Sequence, residues 1–137
     1  AQEGAVFAIP AGRLGVGYPP AAMRYVVAAV GPQLAFEAFF TARRFSAQEA
    51  RSAGFLAQLL APQDFDTSVQ ALAETIAQNA PLTLRAAKAA IRAAAALPGA
   101  LPVKECEALA AACFDSGDYV EGRNAFLEKR APKFEGR

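Results

Sequence analysis

A single strand-like run, Ala5-Val6-Phe7-Ala8-Ile9, heads a sequence whose other signals are almost all helical. Pro10 stops the run, because proline brings no backbone donor to a sheet ladder. One strand cannot satisfy its own peptide groups. Its neighbours are therefore expected from outside this sequence, which begins without Met and almost directly in the strand. That combination predicts the C-terminal part of a larger α/β domain, mostly helical within its own span.

After the strand, Gly12, Gly15, Gly17, Pro19 and Pro20 read as a loop with unusual backbone freedom. Gly15-Val16-Gly17 is not a dinucleotide fingerprint, since Pro20 stands where that motif needs glycine. Helices are predicted over Ala21 to Val30, stopped at Gly31-Pro32, and over Leu34 to Ala42. Ser46-Ala47-Gln48-Glu49 is a capping box and Gly54 a helix-ending residue. Phe55 to Leu60 reads as a short extended segment. Further helices follow at Asp66 to Gln78, Leu82 to Leu97, Val103 to Phe114, and from a second box-like start, Asp118-Tyr119-Val120-Glu121, to about Arg130. The polar tail, Lys133 to Arg137, is expected to be mobile. Composition agrees with so much helix. The chain has 35 alanines among 137 residues, and Ala gives up no side-chain entropy in a helix. Leu, Ile, Val and Phe supply another 33 residues, enough for a folded chain.

Several kinds of chemistry are excluded. With no histidine, Ser-His-Asp and Cys-His catalysis within this chain are absent, and so are nearly all zinc sites. A net charge of +1 gives no nucleic-acid footprint. No uninterrupted apolar stretch is long enough for a membrane span. Cys106 and Cys113 are seven residues apart on one predicted helix. Seven residues rise roughly 10.5 Å, too far for a disulfide, so both read as small buried hydrophobes in a reducing, cytoplasmic setting.

Three clusters remain. Arg85, Lys88 and Arg92 share a helix face, and a solvated face accounts for them better than an anionic ligand does. Asp115, Asp118 and Glu121 lack the alternating oxygen ligands of a calcium loop, and helix capping explains the last two, so no metal is expected. Phe126 and Lys129 are three apart on the last helix. A ring and an ammonium on one face suit a nucleotide's base and phosphate, although core and surface roles are the commoner use of these residues. Tyr18 lies just beyond the strand, where ligands gather in parallel α/β folds. It reads equally as a neutral hydrogen-bond donor or as a half-buried loop tyrosine.

The segments Phe7-Ala8-Ile9-Pro10-Ala11-Gly12-Arg13-Leu14-Gly15, Phe40-Thr41-Ala42-Arg43-Arg44-Phe45-Ser46-Ala47-Gln48-Glu49-Ala50 and Ala53-Gly54-Phe55-Leu56 resemble the second half of the enoyl-CoA hydratase/isomerase (crotonase) family. Asp118 to Arg123, Ala125 to Arg130 and Pro132-Lys133-Phe134 resemble its C-terminal motif. The resemblance implies a crotonase-like β/α spiral. Residues 1–60 would end the spiral core and carry the active-site loop, and residues 61–137 would form a helical trimerisation region. It also implies an acyl-CoA thioester as substrate, with coenzyme A arriving as part of it and no other cofactor, and a homotrimer or hexamer. The family's two backbone oxyanion donors and one hydratase glutamate would lie upstream of Ala1.

The loop departs from the hydratase pattern. Ala11 stands where hydratases carry their second glutamate, and Pro19 where a family dehalogenase carries its nucleophilic aspartate. Leu14-Gly15-Val16-Gly17-Tyr18 resembles the methylmalonyl-CoA decarboxylase branch, which has a tyrosine at this position. The resemblance thus implies Tyr18 as the catalytic candidate and Pro10, Ala11, Leu14 and Pro19 as substrate-lining residues. Phe126 and Lys129 match the positions that meet the adenine and 3′-phosphate of CoA bound to a neighbouring subunit. Two functions are expected to compete: a divergent acyl-CoA enzyme, hydratase, isomerase or decarboxylase-like lyase, and a non-catalytic acyl-CoA-binding or assembly subunit.

Overall fold

The computed structural model describes residues 1–137. In chain order the elements are β1 (Val6–Phe7), α1 (Ala11–Leu14), α2 (Pro20–Thr41), β2 (Phe45–Ser46), α3 (Ala47–Ser52), a 3₁₀ turn (Pro62–Asp64), α4 (Phe65–Ala77), α5 (Pro81–Ala94), α6 (Val103–Phe114) and α7 (Gly117–Glu128). The chain divides into two compact units, Ala1–Val69 and Gln70–Arg137.

In the first unit β1 is not alone. It pairs antiparallel with β2, Val6 opposite Ser46 and Phe7 opposite Phe45. One neighbour of the strand therefore lies in this chain, contrary to the expectation that all come from elsewhere. Two residues wedged between helices are too short to show an alternating pattern, which is why β2 is invisible in the sequence. Phe55 to Leu60 is not a strand either. Its one ladder pairing is a parallel bridge between Gln2 and Leu60.

The predicted glycine loop is partly helical. Pro10 is the N-cap of α1, and its carbonyl accepts from the Arg13 and Leu14 amides at 3.0 and 3.2 Å. Gly15, at φ 66°, then ends the turn in the left-handed region. Pro19 and Pro20 open α2 because a proline at the first helical position loses no hydrogen bond. The helix runs in two arms. Gly31 breaks it at φ 73°, ψ 165°, and Pro32 has no amide to continue the ladder, so the predicted stop is a kink. Ser46 and Glu49 form the predicted capping box of α3, and Gly54 leaves the helix at φ 79°. Arg43 links Glu37 of α2 to Glu49 of α3 at 2.7 and 2.8 Å, with its guanidinium 3.8 Å from the centre of the Phe45 ring. The core is built of small residues, Ala11, Ala35, Ala38, Ala42, Ala47 and Ala50, with Phe45 as its buried ring.

In the second unit α5 packs against α6, and Ala86, Cys106 and Ala125 are buried. Both cysteines are free thiols; Cys113 Sγ donates back to the Leu109 carbonyl at 3.3 Å. The last helix begins two residues earlier than predicted. Its cap is Ser116, which accepts from the Tyr119 amide at 3.1 Å, not Asp118. Asp118 and Glu121 instead bind the C-terminal tail, which the sequence predicts to be mobile and the structure ties down. The Glu135 and Gly136 amides donate to Asp118 Oδ1 and Oδ2 at 2.7 and 2.9 Å. A carboxylate buried to 5% exposure needs such donors, and two backbone N–H groups supply them.

Candidate functional site

The first group of predicted residues sits on the turn that follows β1. Ala11 is the first residue of α1 and is buried at 5% exposure. Neighbouring Gly12 is pressed against α2: a Cβ there would stand 3.0 Å from the Phe39 carbonyl oxygen. Leu14 projects into solvent at 69% exposure. Pro10 and Pro19 cap the starts of α1 and α2. Tyr18 lies between them, half exposed, its ring edge-to-face with Phe39 at 4.9 Å. The same α2 residue thus backs both Gly12 and Tyr18, which brings the turn and the tyrosine together. The methyl of Ala11 has no proton to move. Among the five predicted residues, Pro10, Ala11, Leu14, Tyr18 and Pro19, only Tyr18 carries a side-chain donor.

Beside this turn lies a cavity of about 350 Å³, lined by Phe7, Ile9, Val30, Leu34, Phe45 and Phe55 among others. Its lining holds no carboxylate and no ammonium. Such a space suits an apolar group, with the Tyr25 phenol the one polar side chain of its lining.

The second group lies in the C-terminal unit. Phe126 is 80% exposed and faces a cavity of about 670 Å³ together with Ala86, Ala90, Phe114, Tyr119 and Phe134. Lys129 is not on the helix face that the spacing predicts. The last helical residue is Glu128, and Lys129 follows at φ 55°, ψ 40°. That left-handed backbone costs a non-glycine residue roughly 1–2 kcal/mol. The Arg130 amide meets the Ala125 carbonyl at 3.0 Å across the turn. Lys129 is exposed at the point of reversal.

Charge around this reversal is organised by Glu121. Arg130 Nη1 and Nη2 donate to its two oxygens at 2.6 and 2.8 Å, and the Lys133 amide adds a third bond at 2.8 Å. These donors hold the Glu121 carboxyl down to about 2, the Arg130 hydrogen bonds being the largest cause. Sequence reasoning missed this pairing. Glu121 and Arg130 are nine residues apart, a spacing that no helix period brings together, and only the reversal at Lys129 makes them neighbours. Arg85, Lys88 and Arg92 line a third cleft, of about 560 Å³, with Glu105 of α6; Arg92 is anchored to the Pro98 carbonyl at 3.1 Å.

The sequence and the fold can be compared with known proteins. The family model for enoyl-CoA hydratase/isomerase matches residues 1–137. Methylmalonyl-CoA decarboxylase of Escherichia coli is 30% identical over 138 residues, covering 99% of this chain and 53% of its own length. The 2,3-dehydroadipyl-CoA hydratase of the same organism is 33% identical over 142 residues, covering 100% of this chain and 54% of its own. Among solved structures, an enoyl-CoA hydratase/carnitine racemase from Magnetospirillum magneticum superposes with a TM-score of 0.86 at 28% identity, covering 99% of this chain and 50% of that one. The chain spans about half the length of the curated relatives it matches.

Proposed function

The chain belongs to the enoyl-CoA hydratase/isomerase family, and from that premise we propose that the protein processes acyl-CoA thioesters by chemistry that has diverged from hydration. The observation that carries the reading is Ala11, a buried methyl on the turn after β1, at the position the family pattern gives to a hydratase glutamate. Hydration of a 2-enoyl thioester needs one group to activate water and another to deliver a proton. Removing a general acid/base typically costs 10²–10⁴-fold. Decarboxylation needs no base at the α-carbon. It requires the carboxylate to be oriented and the resulting enolate to be stabilised by preorganised donors.

Tyr18 is the residue of this turn that can orient a carboxylate through its hydroxyl, which favours the decarboxylase-like lyase as the second reading. It is supported by the 30% identity with methylmalonyl-CoA decarboxylase over nearly the whole chain. Pro10, Ala11, Leu14 and Pro19 line the acyl group in this reading. Phe126 and Lys129 meet the adenine and 3′-phosphate of CoA, CoA enters only as part of the substrate, and the working form is a homotrimer or hexamer in the cytoplasm.

The test is a comparison of crotonyl-CoA and methylmalonyl-CoA as substrates of the intact protein. Weak hydration, raised about tenfold or more by Ala11→Glu, is the expected result. Wild-type hydration on the order of 10³ s⁻¹ would overturn the diverged reading. No turnover of any acyl-CoA, with tight CoA binding, would leave the binding-subunit function in its place.

A further inference from the structure

The C-terminal tail doubles back along α7. Arg130 and the Lys133 amide meet Glu121. The Glu135 and Gly136 amides meet Asp118 one turn nearer the helix start. The Asp118 amide reaches the Arg137 carbonyl at 3.3 Å. Asp118 and Glu121, three residues apart, present two carboxylates on one helix face to a strand of chain running the other way. Apolar contact closes the gap between them. The Phe134 ring lies over Gly122, where an added Cβ would stand 3.4 Å from it. Gly136, at φ 78°, passes against Pro81 at the start of α5.

Between this clasp and the helix lies Lys129, in a left-handed conformation that nothing in its own side chain favours. A strained turn persists when the surroundings over-determine it. Here the next residue, Arg130, is fixed on both sides: by its fork on Glu121 and by its Nε bond to Glu128 at 2.6 Å.

We propose that Glu121, supported by Asp118, is a positioning residue that clasps residues 130–136 and thereby holds Lys129 at the reversal, where it can reach the 3′-phosphate of CoA. This rests on the reading of Phe126 and Lys129 as the CoA-contacting pair and adds a requirement to it. The ammonium must be presented on a preset turn, because a lysine on a frayed helix end loses side-chain and backbone freedom on binding.

The experiment is calorimetric titration of the intact protein with CoA and with dephospho-CoA, which lacks the 3′-phosphate. Wild type is expected to prefer CoA by about tenfold, the scale of one charge-assisted contact. In Glu121→Gln the preference falls toward unity, and adding Lys129→Ala to that variant lowers it no further, as two residues acting through one contact require. Arg130→Lys keeps the charge but loses the fork, so its preference is intermediate; it carries the same test should Glu121→Gln fail to fold. A preference abolished by Lys129→Ala but intact in Glu121→Gln and Arg130→Lys, even with lowered melting temperatures, overturns the clasp while leaving the CoA reading standing. Equal affinity of wild type for the two ligands overturns that reading and the clasp with it.

Discussion

Tyr18 and Glu121 show how differently single residues carry information. The Tyr18 ring is held against Phe39, and a phenylalanine retains that edge-to-face contact while losing only the hydroxyl. Tyr18→Phe in the intact protein is therefore expected to lower turnover of the native substrate while shifting the urea midpoint little. Unchanged turnover would remove the hydroxyl from the chemistry. Glu121 gives a pH signature. Its folded-state value, about 2, lies below the ordinary 4.5, so its ion pair contributes fully above pH 4.5 and is lost as pH falls toward 2. Arg130 stays charged throughout, its affinity for protons raised further by the Glu121 and Glu128 carboxylates. The stability difference between wild type and Glu121→Gln should be constant from pH 7 to 5 and close between pH 4.5 and 2. A difference that persists at pH 2 would mean the loss came from packing rather than charge. Solvent screening keeps the size of this effect small.

At the scale of elements, the turn and α2 depend on the absence of a side chain. A Cβ on Gly12 would meet the Phe39 carbonyl oxygen at 3.0 Å, a backbone atom that cannot rotate away. Gly12→Ala should push α1 off α2, at a cost of about 1–3 kcal/mol in urea unfolding. It should also lower activity, because Ala11 adjoins Gly12 on the displaced turn and Tyr18 packs on the same Phe39. An unaltered midpoint would show that the turn yields easily. Sequence and structure agree best where one local rule governs an element. The Ser46–Glu49 box, the Gly31-Pro32 break and the bounds of α6 are readable because capping, proline sterics and apolar period each act within a few residues. They part where a local signal has two meanings. Glycine and proline after the strand announce a turn, but do not say whether it closes as a loop or as one turn of helix.

For the whole molecule the surface is the informative feature. No large side chain is fully buried, while Phe40, Phe126, Leu127 and Leu14 are between 69% and 81% exposed. On α4, Val69, Leu72 and Ile76 form an apolar stripe at helical spacing, each nearly half exposed. Surface of this kind marks contacts still to be made. The intact protein is expected to sediment as a trimer or hexamer. The 137-residue chain alone should bind a hydrophobic dye and associate. A stable, dye-negative monomer of this chain, protected from hydrogen exchange, would contradict that expectation. No helix is long and apolar enough to cross a membrane.

The order of helices, the capping box, the kink in α2 and the family motifs were set by residues close together in the chain, where steric and hydrogen-bonding rules act without help from distant parts. So was the absence of a side-chain carboxylate at Ala11, a matter of identity alone. The tertiary structure decided what those rules do not reach. It paired β1 with β2 and folded Ala11 into a helical turn whose Gly12 lies against Phe39. It also converted Asp118 and Glu121 from apparent caps into the clasp of the tail. Each of these joins groups separated by 9 to about 40 residues, from Glu121–Arg130 to Phe7–Phe45. Their attraction exists only after the intervening chain has closed, and that closure depends on the packing of the whole unit rather than on any local pattern.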